Sequence, residues 1–192
     1  MPPGTVIILN GTSSSGKTSI LRQLQALLSE PYLEAGLDKF LWMLPSRYLA
    51  PPLWDEVMGR ATTAGLVGQR LISGMHRAIA ALSRAGNNVL AEHVFLDRAW
   101  LVECASLFHA LPTYLIAVRC PLPVLEKRER ERRDRTLGQA RAQYLLVHAH
   151  AVYDLEVDTS LMSALQCAER IQAYVQDGNP PVAFQKLHRL LQ

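Results

Sequence analysis

Thr5-Val6-Ile7-Ile8-Leu9-Asn10-Gly11-Thr12-Ser13-Ser14-Ser15-Gly16-Lys17-Thr18 is the stretch from which the fold can be read. Its first five residues are short, apolar and rich in β-branched side chains, and they run straight into Gly, Thr and Ser. That is the signature of a buried parallel strand ending in a loop. From Lys17 to Leu28 the apolar positions are Ile20, Leu21, Leu24, Leu27 and Leu28, which share one face of a helix. Ser29-Glu30-Pro31 ends it.

The loop between strand and helix, Gly11 to Thr18, fits G-x-x-x-x-G-K-[ST]. Gly11 and Gly16 let the backbone turn so that the N–H groups of Thr12, Ser13, Ser14 and Ser15 can point inward at phosphate oxygens. The helix N-terminus adds partial positive charge. Lys17 is placed to reach the β and γ phosphates of a nucleotide, and the Thr18 hydroxyl to ligate Mg²⁺. ATP and Mg²⁺ are therefore the expected ligands.

Outward from this motif, strands alternate with helices. Leu71, Ile72, Met75, Ile79 and Leu82 mark a helix over 71–82, stopped by Arg84-Ala85-Gly86-Asn87-Asn88. A second strand is expected over 89–95, a helix over 98–110, and a third strand over 113–120. Two mixed or basic helices follow at about 122–133 and 138–149, then a short strand at 155–157. Ser160 is expected to cap a last long helix ending at Asp177-Gly178. After Asn179-Pro180-Pro181, residues 182–192 read as a short amphipathic helix or a frayed tail. The pattern predicts a three-layer α/β sandwich with a central parallel sheet, with no internal repeat.

Composition narrows the function. The chain has 192 residues, 49% hydrophobic and 19% charged, enough for a core and unlike disordered, collagenous or coiled-coil chains. No apolar run approaches the roughly 20 residues that span a bilayer, and Met1-Pro2-Pro3-Gly4 does not open a signal peptide. A net charge of +3 is too weak for a duplex-DNA binder, and residues 127–135 carry all of it. There Lys127, Arg128, Arg130, Arg132, Arg133 and Arg135 face Glu129, Glu131 and Asp134. The run suits a compact anion such as a nucleotide phosphate, or a solvated helix face laced with ion pairs. Cys104, Cys120 and Cys167 have neither disulfide nor zinc spacing. They are expected in the core of a cytoplasmic protein.

The chain lacks the N-K-x-D guanine-reading motif, so at this size a small-molecule kinase is the default reading. Its domain is expected over 1–178 with a lid at about 122–140, and 179–192 as a C-terminal extension. Glu92, at the end of the second strand, is a candidate Mg²⁺-side carboxylate or substrate contact. His93, on the opposite face by alternation, reads as packing or loop-capping, with a ligand role as the alternative. Asp38 after Gly36-Leu37 is either the base that takes a proton from an acceptor hydroxyl or a helix N-cap. Trp42, Met43, Trp54 and Met58 either line an acceptor pocket or pack in the core. Arg132 and Arg135 lie one helical turn apart, with Arg128 a turn earlier, as befits a lid that neutralises charge on the transferring phosphoryl group.

Taken together, the chain resembles the chloramphenicol phosphotransferase family of P-loop kinases. The matching residues run from about 6 to 176. They are Ile7-Ile8-Leu9-Asn10-Gly11 with the phosphate loop, Gly36-Leu37-Asp38 with Pro45, and Val94-Phe95-Leu96. Val118-Arg119-Cys120, Arg128-Glu129, Arg132, Asp134-Arg135, Val147-His148, Tyr153-Asp154 and Glu156-Val157-Asp158-Thr159 complete the set. The resemblance implies ATP-dependent O-phosphorylation of a small hydroxyl compound. Asp38 would be the base, Lys17 and Thr18 the phosphate and Mg²⁺ contacts, Arg132 and Arg135 the lid arginines, and Phe95 with Glu92 part of the acceptor site. The chain departs from the family at Glu92-His93, where the family carries two aspartates, and from Trp42 to Gly68, which shares little beyond Pro45. Two other readings stand beside it: a nucleotide-dependent regulatory protein with little transfer, and a P-loop kinase of a nucleoside or nucleotide sugar. The expected partner is a small-molecule hydroxyl acceptor, with no nucleic acid or membrane; residues 179–192 could serve self-association.

Overall fold

The computed structural model describes residues 1–50, 64–131, 138–149 and 152–191. Five parallel strands form one sheet in the order β2-β3-β1-β4-β5. They are β1 (Val6–Asn10), β2 (Tyr32–Glu34), β3 (Asn88–His93), β4 (Thr113–Arg119) and β5 (Leu155–Asp158). β1 is central and every one of its residues is buried, so it needs no polar face. The second strand is shorter than its apolar run predicts: it stops at His93, and Val94 and Phe95 lie in the loop beyond. β2 was not expected from the sequence. It has only three residues, none of them fully buried, and pairs with β3 alone at the sheet edge.

Helices cover both faces. On one lie α3 (Leu66–Arg84), α4 (Arg98–Phe108) and α8 (Ala183–Leu191). Met75, Ile79, Leu101, Phe108, Phe184 and Leu187 pack there on Val6, Ile8, Val89 and Leu115. On the other face lie α1 (Lys17–Leu27) and α7 (Ala164–Gln176). Ile20, Leu21, Leu24, Cys167 and Ile171 meet Ile7, Leu9, Leu90, Ile116 and Val118. This is the three-layer sandwich that the alternating pattern predicts.

The C-terminal segment docks. Phe184 and Leu187 are 1% exposed, and the carboxylate of Asp154 accepts the main-chain N–H groups of Val182 and Ala183 at 2.7 and 2.9 Å. The long helix before it is capped by Ser163, not Ser160: Ser163 and Gln166 form a reciprocal capping box. Ser160 instead donates to Asp158. All three cysteines are free and buried. Among the described residues no helix is long and apolar enough to cross a membrane.

Candidate active site

Because the sheet is parallel, the loops after all five strands emerge at one end. β1 sits between β3 and β4, the switch point where open α/β sheets bind ligands. The phosphate loop lies there. Gly16 adopts φ 96°, a left-handed conformation suited to glycine. Gly11 is required for space: a Cβ on it would stand 2.6 Å from the Val118 carbonyl oxygen and 2.7 Å from Ser15 Oγ. Lys17, 8% exposed, donates from Nζ to the carbonyls of Gly11 and Thr12 at 2.9 and 2.8 Å. The hydroxyls of Ser14 and Ser15 are buried without a hydrogen-bond partner among the described residues. Buried polar atoms of this kind, beside the inward-turned loop, fit a phosphate group.

Two neighbours fasten the loop. Thr159, after β5, donates through Oγ1 to the Ser15 carbonyl at 2.8 Å. Gln143 of α6 (Gln139–Tyr144) accepts the Ser13 N–H at 2.8 Å. Arg128 of α5 (Leu122–Glu131) donates to Thr159, so part of the basic run is tied to the phosphate loop. Glu129 turns the other way. It is 3% exposed and accepts the N–H groups of Gly138 and Ala140 at 2.8 and 2.9 Å. Arg132 and Arg135 lie outside the described residues, as do Trp54 and Met58.

Glu92, one residue before the end of β3, faces α1, and Thr18 donates to its Oε2 at 3.0 Å. Burial raises the Glu92 carboxyl above the ordinary carboxylate range, and the charges of Asp38 and Glu34 push the same way. The Lys17 ammonium and the Thr18 bond oppose the rise. A carboxylate and a hydroxyl so paired are hard oxygen donors, a set that suits Mg²⁺. Gly36 lies against Glu92: a Cβ there would make ordinary contact with the Glu92 Cβ at 3.4 Å. Asp38 lies in the exposed first turn of α2 (Leu37–Leu41). Gly36 is the N-cap, so Asp38 does not cap this helix.

Phe95 is 5% exposed and packs against His93 with ring centroids 3.8 Å apart. Its main-chain N–H donates to Asn10 Oδ1 at 2.9 Å. Leu37 and Phe40 of α2 and Trp100 of α4 pack against the same core. Trp42 and Met43 are 73% and 70% exposed, so they face outward from the described residues and join no core among them.

Sequence reasoning missed three polar residues here: Asn10, Gln143 and Thr159. Asn10 and Thr159 stand in the stretches that match the family, which was the available signal. Gln143 lies in an undistinguished helix and shows its role only once that helix crosses the loop. Asn10 also donates through Nδ2 to the Val147 carbonyl at 2.8 Å and to the Tyr153 hydroxyl oxygen at 2.6 Å. Tyr153 in turn donates to His148 Nδ1 at 2.7 Å.

Comparison with known proteins agrees with this geometry. A Mycobacterium tuberculosis (strain ATCC 25618 / H37Rv) protein named "Putative O-phosphotransferase Rv2636" is 34% identical over 202 residues, covering 98% of this chain and 90% of that protein. An unliganded sugar kinase from Janibacter sp. HTCC2649 superposes with a TM-score of 0.66 at 17% identity, covering 92% of this chain and 97% of that one. The Mycobacterium tuberculosis APS kinase CysC, in complex with AMPPNP and APS, gives 0.64 at 17% identity over 92% and 99%. At such identities these structures establish the shared P-loop kinase fold. The family described as chloramphenicol phosphotransferase-like protein matches residues 4–176. A P-loop phosphotransferase by fold and relatives, the chain belongs to the chloramphenicol phosphotransferase-like family.

Proposed function

We propose that the protein is an ATP-dependent O-phosphotransferase that phosphorylates a hydroxyl of a small molecule, in the manner of a chloramphenicol 3-O-phosphotransferase. The observation that carries this reading is the Thr18–Glu92 hydrogen bond, which joins a phosphate loop to a carboxylate at the end of the neighbouring strand. With Asp38 close enough to Glu92 for their charges to interact, the site offers one carboxylate for the metal side and one for the acceptor.

In the transfer, a bond forms between the acceptor oxygen and the γ phosphorus. The bond from that phosphorus to the β–γ bridging oxygen breaks, and the hydroxyl proton passes to Asp38. Lys17 leaves its loop carbonyls for the phosphates, and the N–H groups of the phosphate loop orient them. Thr18 and Glu92 are the residues that would hold Mg²⁺, which when bound offsets the charge of the phosphate oxygens. Arg128, with Arg132 and Arg135, supplies the lid charge over the transferring group. Phe95, with Trp42, Met43 and Trp54, flanks the acceptor. If the acceptor is an antibiotic, phosphorylation inactivates it.

The test is ADP release with ATP and Mg²⁺, with and without chloramphenicol, followed by mass analysis. The expected product carries one added phosphate on the acceptor. Nucleotide binding without transfer to chloramphenicol or to a panel of nucleosides and sugars would sink the reading in favour of a regulatory nucleotide-binding protein.

A further inference from the structure

Asn10 is the one polar residue of β1, and it is fully buried. Its carboxamide meets three separate segments of the chain. Oδ1 accepts the main-chain N–H of Phe95 at 2.9 Å. Nδ2 donates both hydrogens, to the Val147 carbonyl at 2.8 Å and to the Tyr153 hydroxyl oxygen at 2.6 Å. An N–H on one side and a C=O on the other admit only this placement of oxygen and nitrogen. Tyr153 donates onward to His148 Nδ1.

The place of this residue gives the contacts their meaning. β3 ends at His93, whose partner in the sheet is Asn10. The Gly11 N–H still reaches the His93 carbonyl, at 3.3 Å. Past that point the Asn10 side chain carries the connection to the loop of Phe95. On its other side, Val147 lies one turn beyond Gln143 and donates its N–H to the Gln143 carbonyl at 2.9 Å. The Gln143 side chain accepts the Ser13 N–H. A single turn of chain thus grips the start of the phosphate loop at two places, Asn10 and Ser13. Burying an amide in an otherwise apolar strand is unfavourable unless its groups are paired. Here the pairing joins the phosphate loop, the Phe95 loop and the turn after α6.

Resting on the phosphotransferase reading above, we infer that Asn10 is a positioning residue that couples the two sides of the site. A nucleotide on the phosphate loop steadies Asn10, and Asn10 steadies the main chain at Phe95. The acceptor side is thereby ordered once nucleotide is bound. Val147 and Tyr153 act through the Asn10 carboxamide, and Gln143 ties the same turn to the loop.

Amide hydrogen exchange on the full chain, followed by NMR with and without Mg²⁺ and AMPPNP, tests this and needs no acceptor. With nucleotide bound, the Phe95 amide is expected to exchange about 10-fold more slowly, an ordinary coupling between linked sites. The Asn87 amide, which donates to the Leu82 carbonyl just before β3 begins, serves as the control and should change little. Equal slowing at the two amides would mean a general stabilisation and would overturn the inference. Asn10→Ala should bind a full complement of nucleotide and lose the slowing at Phe95. Tyr153→Phe is the milder variant, should Asn10→Ala fail to fold. It removes one of the two Nδ2 bonds and should cut the slowing to about 3-fold, as one lost hydrogen bond would. Undiminished slowing in whichever variant folds would leave Asn10 with a packing role alone. Failure of the unmodified chain to bind nucleotide is a separate outcome: it would defeat the phosphotransferase reading, and this inference with it.

Discussion

Arg128 donates to both oxygens of Thr159, at 2.9 Å to Oγ1 and 2.7 Å to the carbonyl. Thr159 passes the contact on to the Ser15 carbonyl. The basic helix is thus anchored to the phosphate loop. Arg128→Ala should raise KM for ATP by about 10-fold or more, since hydrogen bonds involving a charged group contribute about 1.5–3 kcal/mol. Arg128→Lys should recover only part, because an ammonium lacks the planar fork that meets both oxygens. Steady-state kinetics at saturating acceptor check both.

Gly11 admits no side chain. A Cβ would press on the Val118 carbonyl and Ser15 Oγ, and backbone on one side cannot rotate away. Gly11→Ala should cost about 1–3 kcal/mol of stability as an overpacked site. It should also abolish the thermal stabilisation given by ATP with Mg²⁺. Melting curves with and without nucleotide measure the two effects together. Full stabilisation by nucleotide in this variant would remove the loop from the binding site.

Asp38 is exposed and is not the N-cap of its helix, and Asp38→Asn keeps the size of the side chain, so the fold should stay intact. Asp38→Asn should lower kcat by about 10²- to 10⁴-fold, the usual contribution of a positioned base, with ATP-dependent stabilisation unchanged. Retained turnover would return the base to another residue.

His148 is held at about 4, first by burial and then by the charge of Arg119. Its neutral Nδ1 accepts from Tyr153, whose oxygen accepts from Asn10. A protonated ring has no acceptor left to offer. The folded chain thus binds this proton less readily than the unfolded chain, in which histidine titrates near its ordinary value of about 6.5. The stabilising contribution is complete above about pH 6.5 and is lost progressively as pH falls towards 4. His148→Gln should therefore show a shallower fall in denaturation midpoint between pH 7 and pH 5 than the unmodified chain. Parallel slopes would show that His148 does not contribute.

What could be read in the sequence was whatever repeats or alternates. Val6–Asn10, the helix after it and the strand at Thr113–Arg119 announce themselves because burial on both sides demands unbroken apolar runs. Tyr32–Glu34 does not, because an edge strand of three residues leaves no period to detect. The same logic governs the site. Gly11 to Thr18 is contiguous, so its meaning is local. Gln143 and Thr159 act on it from far along the chain, and each is a single polar residue without spacing to mark it. His76 and Glu103 meet His93 only through the packing of three separate elements. Charge counting places Glu129 in a run suited to a compact anion or to a solvated face, and neither shows that its buried carboxylate caps the start of the next helix.

The position of β1 also sets the order in which the molecule can be built. Val6 pairs with Val89 on one side and with Thr113 on the other. A ribosome makes this apolar strand first and its second partner more than a hundred residues later, roughly 5–20 seconds at ordinary rates of synthesis. Until β3 is made the strand has no neighbour to pair with, and until β4 is made one of its edges stays open and is a segment for chaperones to shield. The phosphate loop hangs from its end, and Gly11 lies against the Val118 carbonyl, so a nascent chain that has not passed β4 lacks one wall of this loop. On the proposed reading, nucleotide binding would report a sheet built through β4, and slowed translation beyond β1 lengthens the time this strand stands open to aggregation.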